Sequence, residues 1–305
     1  MKISTLPELS KYFEEKQHCI DFLIQMRWNG VPKCVFCDHH RVYELKGQNK
    51  RYKCAKCRKQ FSVIKGTIFE NSPISLQKWF VAIYVISSHK KGISSIQLAK
   101  DIGVTQKTAW FMNQRIRYAL KVKSFDKMEG LVQCDETYVG GKNKNRVGDN
   151  KDKHGNSQGR SLKNKTPVFG IVGNGQIYTE VVPNVKTATL KPIIKKMVEE
   201  GSIVVTDEYM VYNHLKKEYH HEVIQHRLNE FVRNGYHTNT IEGFWSLLKR
   251  GLYGIYHQVS PKHLHRYCDE FSFRYNTRKM MEDERFEHLM KKINCRLTYD
   301  ELTEK

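Results

Sequence analysis

Two cysteine pairs, Cys34-Val-Phe-Cys37 and Cys54-Ala-Lys-Cys57, stand sixteen residues apart, and they restrict the N-terminal fold more than any other feature. A CxxC turn aims two thiolates at one point, and two such turns complete a tetrahedron around a soft divalent ion. The segment is too short to fold on a core of its own, so the ion must supply its stability. Val42–Leu45 and Lys50–Lys53, joined by a turn at Lys46–Asn49, have the composition of a hairpin. The expectation is a zinc ribbon over residues 31–70, with Cys34, Cys37, Cys54 and Cys57 holding a structural Zn(II). His39 and His40 are spare donors that four thiolates make unnecessary. Cys19, Cys134, Cys268 and Cys295 lie among apolar or mixed neighbours. That is the pattern of reduced thiols, not of a secreted disulfide framework.

The ribbon is crowded with cations (Lys46, Lys50, Arg51, Lys53, Lys56, Arg58, Lys59), and the whole chain carries 52 Lys and Arg against 32 Asp and Glu, a net charge of +20. Such a surface attracts a polyanion, most commonly nucleic acid. No apolar run reaches the eighteen residues of a membrane span, and the N-terminus lacks the apolar stretch of a signal peptide. A soluble cytoplasmic protein without a membrane partner is therefore expected. Residues 1–30 read as an N-terminal helix with Phe13, Ile20, Phe22, Leu23, Met26 and Trp28 on its apolar face, stopped by Gly30 and Pro32.

Residues 73–125 are helical in pattern. After a strongly apolar stretch (Leu76, Trp79, Phe80, Ile83, Tyr84, Ile86) come Ser94 or Ser95 as a cap, Ala99 at a crossing, Gly103 as a turn and Thr105 as a second cap. This is a helix-turn-helix-like pattern. Gln106, Lys107 and Thr108 fall at the start of its second helix, where base edges are read.

From Gly130 the texture changes to short strands: Leu131–Val139, then Pro167–Gly173 and Gln176–Pro183 around an Asn174-Gly175 hairpin turn, a helix over 190–200, and Ser202–Thr206 ending at Asp207. Residues 128–280 are expected to form an α/β domain on a mixed sheet. Between its first two strands, residues 142–166 carry eight Lys or Arg against two Asp, a basic insertion suited to clamping DNA. Residues 281–305 read as a charged C-terminal tail.

Asp135 lies mid-strand, Asp207 ends a strand, and Glu242 opens a helix thirty-five positions later. Three converging carboxylates repel unless cations intervene, and hard, oxygen-seeking Mg(II) suits them. A pair of such ions activates one oxygen and stabilises another in phosphoryl transfer. Each aspartate is followed by a glutamate, Glu136 and Glu208, which leaves the ligating neighbour open. Strand alternation turns Asp135 away from Val132 and Cys134. On the helix, Ile241, Trp245 and Leu248 share a stripe for burial. Glu242, Ser246 and Lys249 form the next stripe, with Lys249 placed to meet a phosphate.

The order of these parts, with Asp135-Glu-Thr-Tyr-Val-Gly-Gly-Lys142, Val-Thr-Asp207-Glu-Tyr and His237-Thr-Asn-x-Ile-Glu242-Gly-Phe-Trp-Ser-x-Leu-Lys249, resembles bacterial insertion-sequence transposases with an ISXO-type domain, relatives of the Merlin elements. The resemblance covers about residues 15–280. It implies a ribonuclease-H-like catalytic domain behind a zinc ribbon and a helix-turn-helix-like module. It also implies DDE chemistry with Mg(II) or Mn(II) at Asp135, Asp207 and Glu242, and a basic position at Lys249. Members vary at the third acid, so Asn239 and His237 are lesser candidates. Terminal inverted repeats and target DNA would be the partners, bound by an oligomer, with Gln106, Lys107, Thr108, Lys142, Lys144, Arg146, Lys163, Lys165 and Arg250 as contacts. A non-catalytic DNA-binding regulator and a plain Mg-dependent nuclease are the alternatives.

Overall fold

A computed structural model of the chain describes residues 3–47, 50–121, 126–140 and 165–304. It contains two units, Lys121–Arg278 and a second made of Met1–Leu120 with Lys279–Lys305.

In the discontinuous unit the N-terminal helix is two helices, α1 (Leu6–Tyr12) and α2 (Lys16–Trp28). Thr5 caps α1 through its hydroxyl, and Asn29 ends α2 in the left-handed region. The ribbon is a three-stranded antiparallel sheet of β1 (Val42–Leu45), β2 (Arg51–Cys54) and β3 (Gln60–Ser62), in that spatial order. Helix α3 (Leu76–Ser88) is apolar nearly all round and buried. Helices α4 (Ser95–Ile102) and α5 (Gln106–Leu120) follow the expected punctuation. The Ser94 hydroxyl accepts from the Gln97 amide at 3.1 Å, Gly103 takes φ 61°, and the Thr105 hydroxyl accepts from Thr108 at 3.2 Å. Each cap satisfies an otherwise orphaned helix N–H.

In the second unit, strands β4 (Leu131–Val139), β5 (Thr166–Gly173), β6 (Gln176–Val181), β7 (Ile203–Asp207) and β8 (His220–Ile224) form one sheet in the order β6-β5-β4-β7-β8. The first three strands are antiparallel neighbours, and β7 and β8 run parallel to β4. This is the ribonuclease-H-like arrangement. Asn174 and Gly175 take φ 51° and 71°, the pair of left-handed residues that a tight hairpin between β5 and β6 demands. Pleating divides the core. Val132, Cys134, Ile171 and Val204 meet helix α6 (Thr187–Met197) and a 3-10 helix, Met210–Lys217, on one face. On the other, Val139, Val168 and Val172 meet α7 (Asn239–Gly254) and α8 (Leu264–Asn276). Helices α7 and α8 cross so closely that a Cβ on Gly251 would stand 2.0 Å from the Phe271 ring.

The segment read as a charged tail is not a tail. Helices α9 (Glu282–Met290) and α10 (Tyr299–Thr303) belong to the first unit. Phe286, Leu289, Met290 and Ile293 are at most 1% exposed. Their spacing is a buried helical stripe, hidden in the sequence by the surrounding charges. Phe286 stacks on Phe22, and the Tyr84 hydroxyl donates to Glu282 at 2.9 Å. Among the described residues, no helix is long and apolar enough to cross a membrane.

Candidate active site

Strand β4 pairs with β7 in register at Gln133 and Val205. Two residues further along both strands come Asp135 and Asp207, level with each other and on one face of the sheet. Alternation also settles which carboxylates face inward there. Glu136 lies on the opposite face, buried, accepting from the Tyr212 hydroxyl at 2.7 Å. Glu208 turns aside, accepting from the His226 amide at 2.9 Å and pairing with Arg227 at 3.3 Å.

Helix α7 lies over this face and is fixed from beneath by β4. The Gln133 carbonyl oxygen accepts from the Ile241 amide at 3.1 Å, and its amide group donates to the Thr240 hydroxyl at 3.3 Å. Ile241, Trp245 and Leu248 are buried, as their spacing predicts. Trp245 has a further role: its indole N–H donates to Asp135 Oδ2 at 3.0 Å. The ring fits because the residue paired with Asp135 across the ladder is Gly170, where a Cβ would stand 2.5 Å from the indole. Burial first, and then the charges of Glu136 and Asp207, push the Asp135 carboxyl up to about 8. Lys249 stands one turn beyond Trp245 on α7. Burial holds its ammonium below the usual lysine range, Asp135 opposes that shift, and Lys165 adds to it.

Glu242 is not gathered with the two aspartates. Its carboxylate accepts from the Thr238 hydroxyl at 2.7 Å and lies 3.7 Å from His226 Nε2. His226 is itself 3.2 Å from that hydroxyl. Asp207 Oδ1 accepts from the Tyr209 amide at 3.0 Å. The cysteine site is assembled by contrast. All four sulfurs lie within 4.8 Å of one another, with Cys34–Cys57 at 3.6 Å and Cys37–Cys54 at 3.7 Å. Those separations match the edge of a tetrahedron with Zn–S bonds of about 2.3 Å. Among the described residues it is the one group so disposed.

Comparison with known proteins places these parts. Residues 127–276 match the ISXO2-like transposase domain, and residues 14–60 match the transposase zinc-ribbon domain. A protein of Halobacterium salinarum, described as an uncharacterized protein in transposable element ISH50, is 30% identical over 275 residues, 87% of this chain and 92% of its own length. The chain belongs to this family of insertion-sequence transposases. An uncharacterized transposase-like protein of Haemophilus influenzae is 38% identical to the transposase over 102 residues, 33% of this chain and 81% of its own. Among solved structures, a pre-cleavage Mos1 transpososome aligns at 13% identity with a TM-score of 0.27, covering 67% of this chain and 75% of that one. That likeness is too distant to bear on the site.

The transposase presents its expected DNA contacts unevenly. Gln106, Lys107 and Thr108 open α5: Gln106 donates to Ser95 at 2.8 Å, and the Lys107 ammonium stands 5.4 Å from the centre of the Tyr299 ring. Arg250 is exposed on α7, its guanidinium donating to the Ser246 carbonyl at 3.2 Å. Lys142, Lys144, Arg146 and Lys163 lie outside the described residues, and Lys165 is the described member of the basic insertion. Sequence reasoning missed Gly170 and Gln133 and read Trp245 only as core. The available signal was a glycine inside an apolar strand, which marks a close approach.

Proposed function

We propose that this transposase binds the ends of an insertion sequence and catalyses metal-dependent strand cleavage followed by strand transfer into target DNA. The observation that carries the reading is the pair Asp135 and Asp207, level on adjacent parallel strands beneath the helix that bears Glu242 and Lys249. The donor set suits Mg(II) or Mn(II): all-oxygen, with one carboxyl raised to about 8 by burial and then by the charges of Glu136 and Asp207. Asp135, Asp207 and Glu242 would hold the ions, which when bound supply Lewis-acid stabilisation at phosphorus and a nucleophilic oxygen.

The protein's own groups do the positioning. Trp245 fixes Asp135 Oδ2 and leaves the other carboxylate oxygen unconstrained by that bond. Lys249 is close enough to Asp135 to feel its charge and can meet a phosphate of the strand being cut. Glu242 joins the aspartates only by leaving Thr238 and His226. Helix α5, the ribbon and the basic insertion hold the DNA, with Zn(II) on the four cysteines keeping the ribbon folded. Two ends must meet, so the working form is an oligomer on DNA in the cytoplasm.

The test is Mg(II)-dependent nicking and joining of a duplex carrying an element end, with Asp207→Ala as control. Cleavage that survives Asp207→Ala sinks the site assignment. Binding without any cleavage favours the regulator, and cleavage without joining favours the nuclease.

A further inference from the structure

Between β8 and α7 the chain crosses the rim of the acid site as residues 225–238, and three large apolar side chains within five residues stand in solvent there. Leu228 is 72% exposed, Phe231 56% and Val232 53%. Soluble surfaces scatter such residues singly, and a cluster of them marks an interaction site.

The segment has a built shape. The Glu208 carboxylate accepts from the His226 amide at 2.9 Å, and Glu230 accepts from the Gln225 amide at 3.1 Å. Arg233 and Tyr236 exchange backbone hydrogen bonds at 2.9 and 2.7 Å. Asn229, Asn234 and Gly235 take the positive φ values that its turns require. Phe231 stands edge-on to the His226 ring at 5.8 Å, and His226 in turn contacts Thr238 and lies near Glu242. The position follows from topology. Asp207 pairs with Ile224 at the ends of parallel strands, so the chain leaving β8 emerges at the same sheet edge as the acids. Arg227, 82% exposed and paired with Glu208 at 3.3 Å, and Arg233, paired with Glu230 at 3.3 Å, flank the apolar trio, and a phosphate would take the place of each glutamate.

We infer that Phe231, supported by Leu228 and Val232, is a wedge that enters the base stack beside the bond to be cut, while Arg227 and Arg233 hold the neighbouring phosphates. The inference rests on the transposition reading above. DNA is favoured as the occupant because cations bracket the apolar surface and a phosphodiester site adjoins it. Inserted apolar side chains unstack base steps, and aromatic rings stack on any freed base. Opening the duplex there lets one strand descend to carboxylates that a paired helix holds away.

The experiment uses the full-length, zinc-loaded protein and two end-bearing duplexes, one fully paired and one mismatched on both sides of the cut. Single-turnover nicking in Mg(II) is measured for the wild type, for Phe231→Ser with Leu228→Ser, and for Phe231→Trp. The double variant should slow on the paired duplex by about 10–100-fold, the worth of a base–aromatic stack. On the opened duplex it should match the wild type, and Phe231→Trp should cut both. Equal slowing on both duplexes, or none on either, overturns the wedge. So does a drop in the variant's sedimentation coefficient without DNA, which makes the patch an interface between copies. Wild-type protein that cuts neither duplex overturns the transposition reading itself, and the wedge with it.

Discussion

The transposase carries two metal-type constellations in opposite states of readiness. The four thiols of the ribbon stand at the corners of a tetrahedron, while Asp135 and Asp207 are aligned but Glu242 is engaged elsewhere. The difference is chemical before it is functional. The cysteines sit on two CxxC turns joined by the β1–β2 hairpin, so local structure brings them together. Carboxylates resist crowding, and these come from two strands and a helix, so alignment of the third costs repulsion until something positive arrives. The four thiols come from one short stretch of chain, whereas the three acids depend on register between distant segments.

That contrast can be broken or sharpened. The largest effect should come from the ribbon. Stripping zinc, or Cys54→Ser, removes on the order of 10 kcal/mol of metal-linked folding free energy. Hydrogen exchange should show amide protection lost over residues 42–62 and kept over β4–β8. Loss in both would mean that the two sites are not independent. Next, Asp135→Asn should lower Mg(II)-dependent cleavage by at least ~10³-fold. Its melting temperature should hold or rise, because the amide removes a buried carboxyl crowded by Glu136 and Asp207 and still offers an oxygen to the Trp245 N–H. A fall in melting temperature would show that Asp135 supports the fold. Third, Trp245→Phe deletes the N–H and leaves a smaller aromatic ring, and should cost cleavage about 10-fold through a loosened Asp135. An unchanged Mn(II) titration would count against that positioning. Fourth, Gly170→Ala should destabilise the second unit by about 1–3 kcal/mol, as overpacking does, measured by urea unfolding. The smallest effect concerns His221, which lies 2.9 Å from the Thr206 hydroxyl beside Asp207. Burial first, with help from Lys216 and His214, holds it down to about 4. Between about pH 6.5 and 4 the unfolded chain binds a proton that the folded chain refuses, so stability falls as pH falls through that window. His221→Gln should flatten this slope in pH-dependent melting.

Local signals were legible in the chain, and long-range ones were not. The cysteine spacing gave the metal cluster, Asn174-Gly175 gave the hairpin, and Ser94, Gly103 and Thr105 gave the paired helices. The stripe of α7 gave its buried face, and alternation along β4 put Asp135 and Glu136 on opposite sides. What stayed hidden depends on register between distant segments. That Gly170 faces Asp135, and that Trp245 therefore reaches its carboxylate, requires knowing how β5 pairs with β4 and where α7 lands. The grip of Thr238 and His226 on Glu242 is hidden for the same reason. The stripe from Phe286 to Ile293 has helical spacing but is interleaved with Glu287, His288, Lys291 and Lys292, which mask its apolar character.

The return of residues 279–304 to the first unit has a consequence for the order in which the molecule comes into being. During synthesis Lys121–Arg278 is complete and free to fold while Phe286, Leu289 and Met290 have yet to emerge. Until then the first 120 residues lack the Phe286 ring that stacks on Phe22 and the Glu282 carboxylate that accepts from the Tyr84 hydroxyl. The unit that carries the ribbon is thus completed last, after the unit that carries Asp135, Asp207 and Glu242. A chain released early would hold the acid-bearing unit whole and the ribbon-bearing unit short of its last two helices.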